Sequence, residues 1–208
     1  MRYVLRFNNE PFECLVWEGL LSSAYALLGF SLEKDLKALR VAILLDKRAQ
    51  INGYDCLEVV GPKDPEPSYS CPIMAVDGAV NLVEDYDLLV SDGDGADEEE
   101  LVRASEERFL FLHVHGDNFE RLSALPLGNN VRVTVQFWYP GLLCVPALSD
   151  GHRALVLAKS LAKEVRVTGF GKGEQSPKTK RALIHPIKER KFNISNALYL
   201  LGQFHDLY

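Results

Sequence analysis

Leu88, Leu89 and Val90 form a short, unbroken apolar run, closed by Asp92-Gly93-Asp94-Gly95, in which each acid is followed by a glycine. An apolar run without polar alternation, bounded by turn residues, predicts a strand buried on both faces within a parallel sheet. The glycines free the backbone to bend sharply at its end. Ligands of open α/β sheets bind beyond the carboxyl ends of the strands. Two readings fit the acids there. One is an Asp-Gly turn leading into a solvated acidic helix, Asp97 to Glu100. The other is a carboxylate pair that a hard cation such as Mg²⁺ joins.

The pattern recurs along the chain. Ile73 to Val76 predicts a strand ending in Asp77-Gly78, and Phe109 to Val114 one ending in His115-Gly116-Asp117-Asn118. Asp97 and Glu100 have the spacing of a capping box for the helix between the second and third of these strands. Three such ends on strands alternating with helices place one acidic rim along the carboxyl edge of a parallel sheet, which favours the metal reading. His113 and His115 alternate in an extended segment and share a face, but no third zinc ligand stands near them in sequence.

Around this centre, Tyr54 to Val60 predicts a first strand, followed by a loop, Gly61 to Pro67, that its prolines keep irregular. Arg132 to Phe137 alternates as a half-buried strand. It sets Arg132, Thr134 and Gln136 on one face, either toward solvent or as a pocket wall. Ser149 caps a helix running through Ala162, and its N-terminus with the Arg153 guanidinium suits a phosphate. Val165 to Thr168 predicts a further strand. The Gly169 to Gly173 turn after it lacks the P-loop spacing. Lys178, Lys180 and Arg181 lie in a polar stretch, and Ser195 to Phe204 predicts a final helix.

At the other end, Cys14 to Leu28 is rich in Leu, Ala and aromatics, and Ser31 caps a second helical pattern. Its apolar face is predicted to be Leu32, Leu36, Leu39, Ile43 and Leu44. The expected partition is a helical N-terminal part over residues 1–52 and an α/β catalytic domain over 53–208. A net charge of −6 on 208 residues argues against nucleic-acid and membrane-surface partners. Cys14, Cys56, Cys71 and Cys144 are scattered without a Cys-x-x-Cys pair, so neither zinc nor a disulfide framework is expected. With no secretory pattern at the start, the expected compartment is the cytosol.

In order, these segments resemble the archaeal 6-hydroxymethyl-7,8-dihydropterin pyrophosphokinase family, itself related to the catalytic domain of thiamine pyrophosphokinase. The matching residues are Asp77-Gly78-Ala79, Ser91-Asp92-Gly93-Asp94-Gly95, His113-Val114-His115-Gly116-Asp117-Asn118, Thr134-Val135-Gln136 and Ser149-Asp150-Gly151-His152-Arg153-Ala154. The chain departs from the family pattern at His152, where an acid is usual, at Val135, in the proline-rich Gly61 to Pro67, and at Gly169-Phe170-Gly171, which lacks an Asp.

The resemblance implies a largely parallel sheet flanked by helices, and Mg²⁺-dependent transfer of diphosphate from ATP to a pterin hydroxymethyl group with release of AMP. It implies metal ligation by Asp77, Asp92, Asp94 and Asp117, and catalytic roles for Asp92, Asp94, Asp117 and His115. Contacts to ATP or pterin would come from Thr134, Gln136, Ser149, Asp150, Gly151 and Arg153. A homodimer is among the assemblies it allows. Thiamine as acceptor, or a non-catalytic nucleotide- and metal-binding module, are the alternatives.

Overall fold

The computed structural model describes residues 31–145, 147 and 149–170. The helices expected at Cys14 to Leu28 and Ser195 to Phe204, and the basic stretch Lys178 to Arg181, lie outside the described residues. The elements in chain order are α1 (Leu32–Leu45), β1 (Tyr54–Val60), β2 (Ile73–Val76), a 3₁₀ turn (Asp77–Asn81), β3 (Leu88–Ser91), α2 (Glu98–Glu107), β4 (Phe109–His113), α3 (Phe119–Leu122), β5 (Val131–Val135), β6 (Leu143–Cys144), α4 (Asp150–Leu161) and β7 (Ala162–Thr168). The strands form one all-parallel sheet of seven, in the order β6-β5-β4-β3-β2-β1-β7.

The central strands are apolar throughout because both faces are covered: every residue of β2 and β3 is buried. On one face, Ala75, Leu89, Leu110, Leu112 and Val133 meet Leu101 and Ala104 of α2, Ala38 and Ala42 of α1, and Leu122 of α3. On the other, Met74, Val76, Leu88 and Val90 meet Ala154, Leu155, Ala158 and Leu161 of α4. The chain leaves β3 toward the first face, whereas α4 begins over the second. The carboxyl edge of the sheet therefore meets both layers.

Four expectations are corrected. The sheet-facing stripe of α1 is Asp35, Ala38, Ala42 and Leu45, while Leu32, Leu36, Ile43 and Leu44 are exposed. Small residues win that face because α1 packs closely against β5 and α3. Asp35 is buried there because it accepts a hydrogen bond from the Gly116 N–H, a demand no helical periodicity can show. The expected Ser31 cap is in place, accepting from the Lys34 N–H.

Asp97 stands at the N-cap of α2 but its side chain makes no cap bond. Glu100 is drawn away by the Tyr86 hydroxyl and Arg103. The last strand starts three residues before Val165, at Ala162, because the sheet edge tolerates Lys163 and Glu164.

A disulfide also joins Cys56 and Cys71, with their Cα atoms 5.6 Å apart. Parallel pairing of Glu58 with Ile73 puts Cys56 opposite Cys71 in the same register, fifteen residues on, a neighbourhood invisible in linear spacing. The loop between them crosses the sheet without a helix. The Ser68 N–H and hydroxyl both donate to the buried Glu58 carboxylate, and the Arg166 guanidinium donates to Ser70 Oγ. No helix among the described residues is long and apolar enough to cross a membrane.

Candidate metal centre

Three carboxylates meet at the carboxyl edge. One oxygen from each of Asp77, Asp92 and Asp150 lies within 4.8 Å of the others. Asp77 follows β2 directly, Asp92 follows β3, and Asp150 is the first residue of α4, so the cluster joins the sheet's carboxyl edge to α4.

Local sequence explains how each is aimed. Asp77 sits at φ 48°, outside the comfortable range for a residue with a Cβ. It is held there by hydrogen bonds that its Oδ1 accepts from the Ser91 hydroxyl at 2.7 Å, the Gly95 N–H at 3.0 Å and the Ala96 N–H at 3.3 Å. Gly95 has to be glycine for this, since a Cβ would stand 2.2 Å from Asp77 Oδ2. Asp92 accepts the Asp94 N–H at 3.0 Å on Oδ1 and donates its own N–H to Asp150 Oδ2 at 3.3 Å. Asp150 also accepts from Arg153 Nη1 at 2.6 Å.

Burial, and then the neighbouring Asp92 charge, hold the Asp150 carboxyl well above the usual carboxylate range, with Arg153 opposing. Crowded carboxylates with that bias match an all-oxygen donor set for a small hard cation. Asp77, Asp92 and Asp150 could thus hold a divalent cation, which would offset the repulsion among them.

The residues proposed from sequence are placed as follows. Asp77 and Asp92 belong to the triad, and Asp150, expected as a nucleotide contact, joins them as the third acid. Asp94 and Asp117 are exposed and stand outside the converging set. The Asp94 charge lies near enough to raise Asp150 further. Asp117 faces a separate cavity of about 200 Å³ lined by Lys34 and Lys37.

His115 is 7 % exposed, with Nε2 3.6 Å from Asp92 Oδ2. Its Nδ1 accepts from the Asp117 N–H at 3.3 Å, so the neutral ring carries its proton on Nε2, toward Asp92. Thr134 and Gln136 are buried rather than on a solvent face, and both hydrogen-bond to His113. His113 Nδ1 donates to Thr134 O, shares contact with Thr134 Oγ1, and leaves Nε2 to accept from the Gln136 amide at 3.3 Å. The His113 and His115 rings stack with centroids 5.4 Å apart.

Ser149 spends its hydroxyl on the His152 N–H as the N-cap of α4. Gly151 gives room for Phe170, whose Cε1 would lie 2.9 Å from a Cβ there. Arg153, expected at a phosphate, is only 1 % exposed; it donates to Asp150 Oδ1 and, at 3.1 Å, to the Ala147 carbonyl. In this arrangement it positions Asp150.

Three residues with no role expected from the sequence shape the centre. Ser91 orients Asp77. Asn118 clasps the rim: its Oδ1 accepts the His115 N–H at 2.8 Å, and its amide donates to the carbonyls of Asp92 and His113. The place of Asn118 at the end of the His-x-His-Gly-Asp-Asn motif was a usable signal. Arg121, over the Asp92-Gly93 turn, carried none. No protein-family model matches the chain, and no curated protein is significantly similar to it.

Proposed function

We propose that the protein is a Mg²⁺-dependent diphosphotransferase that moves the outer diphosphate of ATP to 6-hydroxymethyl-7,8-dihydropterin and releases AMP. The observation that carries the metal-dependent part is the convergence of Asp77, Asp92 and Asp150 from two layers onto one point of the carboxyl edge. The acceptor and the bond cleaved rest on the ordered resemblance of the rim motifs to the pterin family.

Asp77, Asp92 and Asp150 would hold the cation, which supplies charge neutralisation at the phosphate oxygens as the hydroxyl attacks the β-phosphorus. The chain's own part is to aim and to screen. Ser91 and the Gly95 and Ala96 N–H groups fix Asp77, Arg153 fixes Asp150, and Asn118 fixes the Asp92 carbonyl. His115 presents a ring proton beside Asp92, in reach of a group bound there. Positioning of this kind supplies most of the acceleration in phosphoryl chemistry.

His152 favours a second reading, nucleotide and metal binding without turnover. It stands in the first turn of α4 where the family has an acid, and burial, then Arg153, push its pKa down.

Incubation with ATP, Mg²⁺ and the dihydropterin, followed by chromatography of the nucleotides, tests the proposal. AMP in one-to-one ratio with the diphosphorylated pterin is expected. ADP as product sinks it. AMP formed only with thiamine replaces the acceptor, and no turnover with either leaves the binding module.

A further inference from the structure

Arg121, on α3, lays its guanidinium over the acidic turn after β3. A Cβ on Gly93 would lie 2.7 Å from Arg121 Nη2 and 3.2 Å from Nη1, and Gly93 itself is at φ 81°. Glycine is required at that position on both counts. The guanidinium is held loosely: Nη2 is 3.4 Å from the Asp92 carbonyl, Nη1 is 3.9 Å from Glu98 Oε1, and the side chain is 38 % exposed. Distances of that length leave most of its donor capacity unspent.

The turn beneath it has little left to offer an anion. Its Gly93, Asp94, Gly95 and Ala96 N–H groups all donate to Ser91, Asp92 or Asp77. Arg153 is sealed in by Asp150 and the Ala147 carbonyl. An anionic ligand at the triad therefore gains no donors from this turn, and an exposed planar fork beside Asp92 has the geometry for two phosphate oxygens.

We infer that Arg121 binds the phosphate oxygens of the nucleotide whose cation sits on Asp77, Asp92 and Asp150. The inference rests on the metal-dependent nucleotide reading above, and it adds a specificity residue: the fork selects a phosphate chain over a lone cation.

Calorimetric titration of the protein with Mn²⁺ alone, and with Mn²⁺ plus α,β-methylene-ATP, separates the two. In Arg121→Gln, Mn²⁺ affinity should stay unchanged while nucleotide affinity falls about tenfold or more, the scale of one charge-assisted contact. Arg121→Lys, which keeps charge but not the fork, should fall between. Equal nucleotide affinity in the wild type and Arg121→Gln overturns the inference and leaves the transferase proposal standing. A parallel loss of Mn²⁺ affinity makes Arg121 a support of the turn, which also overturns it. A wild type that binds Mn²⁺ but no nucleotide ends both.

Discussion

Arg153 shows how far a residue's role depends on what the fold does with its surroundings. A guanidinium in the first turn of a helix reads as a phosphate ligand, and the helix end would favour an anion there. Burial reverses that assignment: at 1 % exposure the side chain reaches Asp150 and Ala147 and nothing outside. Arg153→Lys keeps the charge but cannot serve both acceptors, so one buried partner loses its bond. The expected cost is about 1–3 kcal/mol, read as a lower urea midpoint, with nucleotide affinity falling only as far as Asp150 moves. An unchanged midpoint with a large loss of nucleotide affinity would restore the phosphate role. Ser91 teaches the same lesson in a smaller way. Its identity looks incidental beside two aspartates, yet its hydroxyl both donates to Asp77 and accepts from the Gly93 N–H.

Elements were legible where one force dominated. Unbroken apolar runs marked β2, β3 and β4 because strands buried on both faces admit little else. Helix α1 was legible as a helix but not in its orientation, since Leu and Ile outnumber Ala in its sequence while Ala38 and Ala42 face the sheet. The β1–β2 crossover was legible as irregular, because its prolines exclude a helix. Its covalent tie was not, because register is a property of two strands and spacing a property of one chain. That tie closes a segment of fifteen residues, and a loop of roughly that length is worth about 3 kcal/mol when cross-linked. Cys71→Ser should lower the unfolding midpoint accordingly. Cation affinity should hold, because Cys71 lies ahead of β2 and the triad beyond its far end. Coincident unfolding curves for the variant and the wild type would show that the strap is held by Ser68, Ser70 and their partners alone.

At the scale of the molecule, the candidate centre joins the two layers that flank the sheet. The strand ends gave away Asp77 and Asp92, but Asp150 reaches Asp92 across 58 residues of chain. Only the return of α4 over the opposite face makes that meeting possible, and no local pattern reports it. A cation held by Asp77, Asp92 and Asp150 therefore stabilises the packing of α4 on the sheet as well as the acids, and it binds the folded state alone. At a hundred times its dissociation constant such a ligand adds about 2.7 kcal/mol, which for a chain of this size raises the melting temperature by roughly 5–10 °C. Asp92→Asn is the sharp control. Its side-chain oxygen can still accept the Asp94 N–H, and removing its charge relieves one of the neighbours that bias Asp150 against ionising. The variant in chelator should thus melt no lower than the wild type in chelator, while the shift on adding Mg²⁺ or Mn²⁺ disappears. A full cation shift in Asp92→Asn, or none in the wild type at millimolar cation, would remove the metal from this edge.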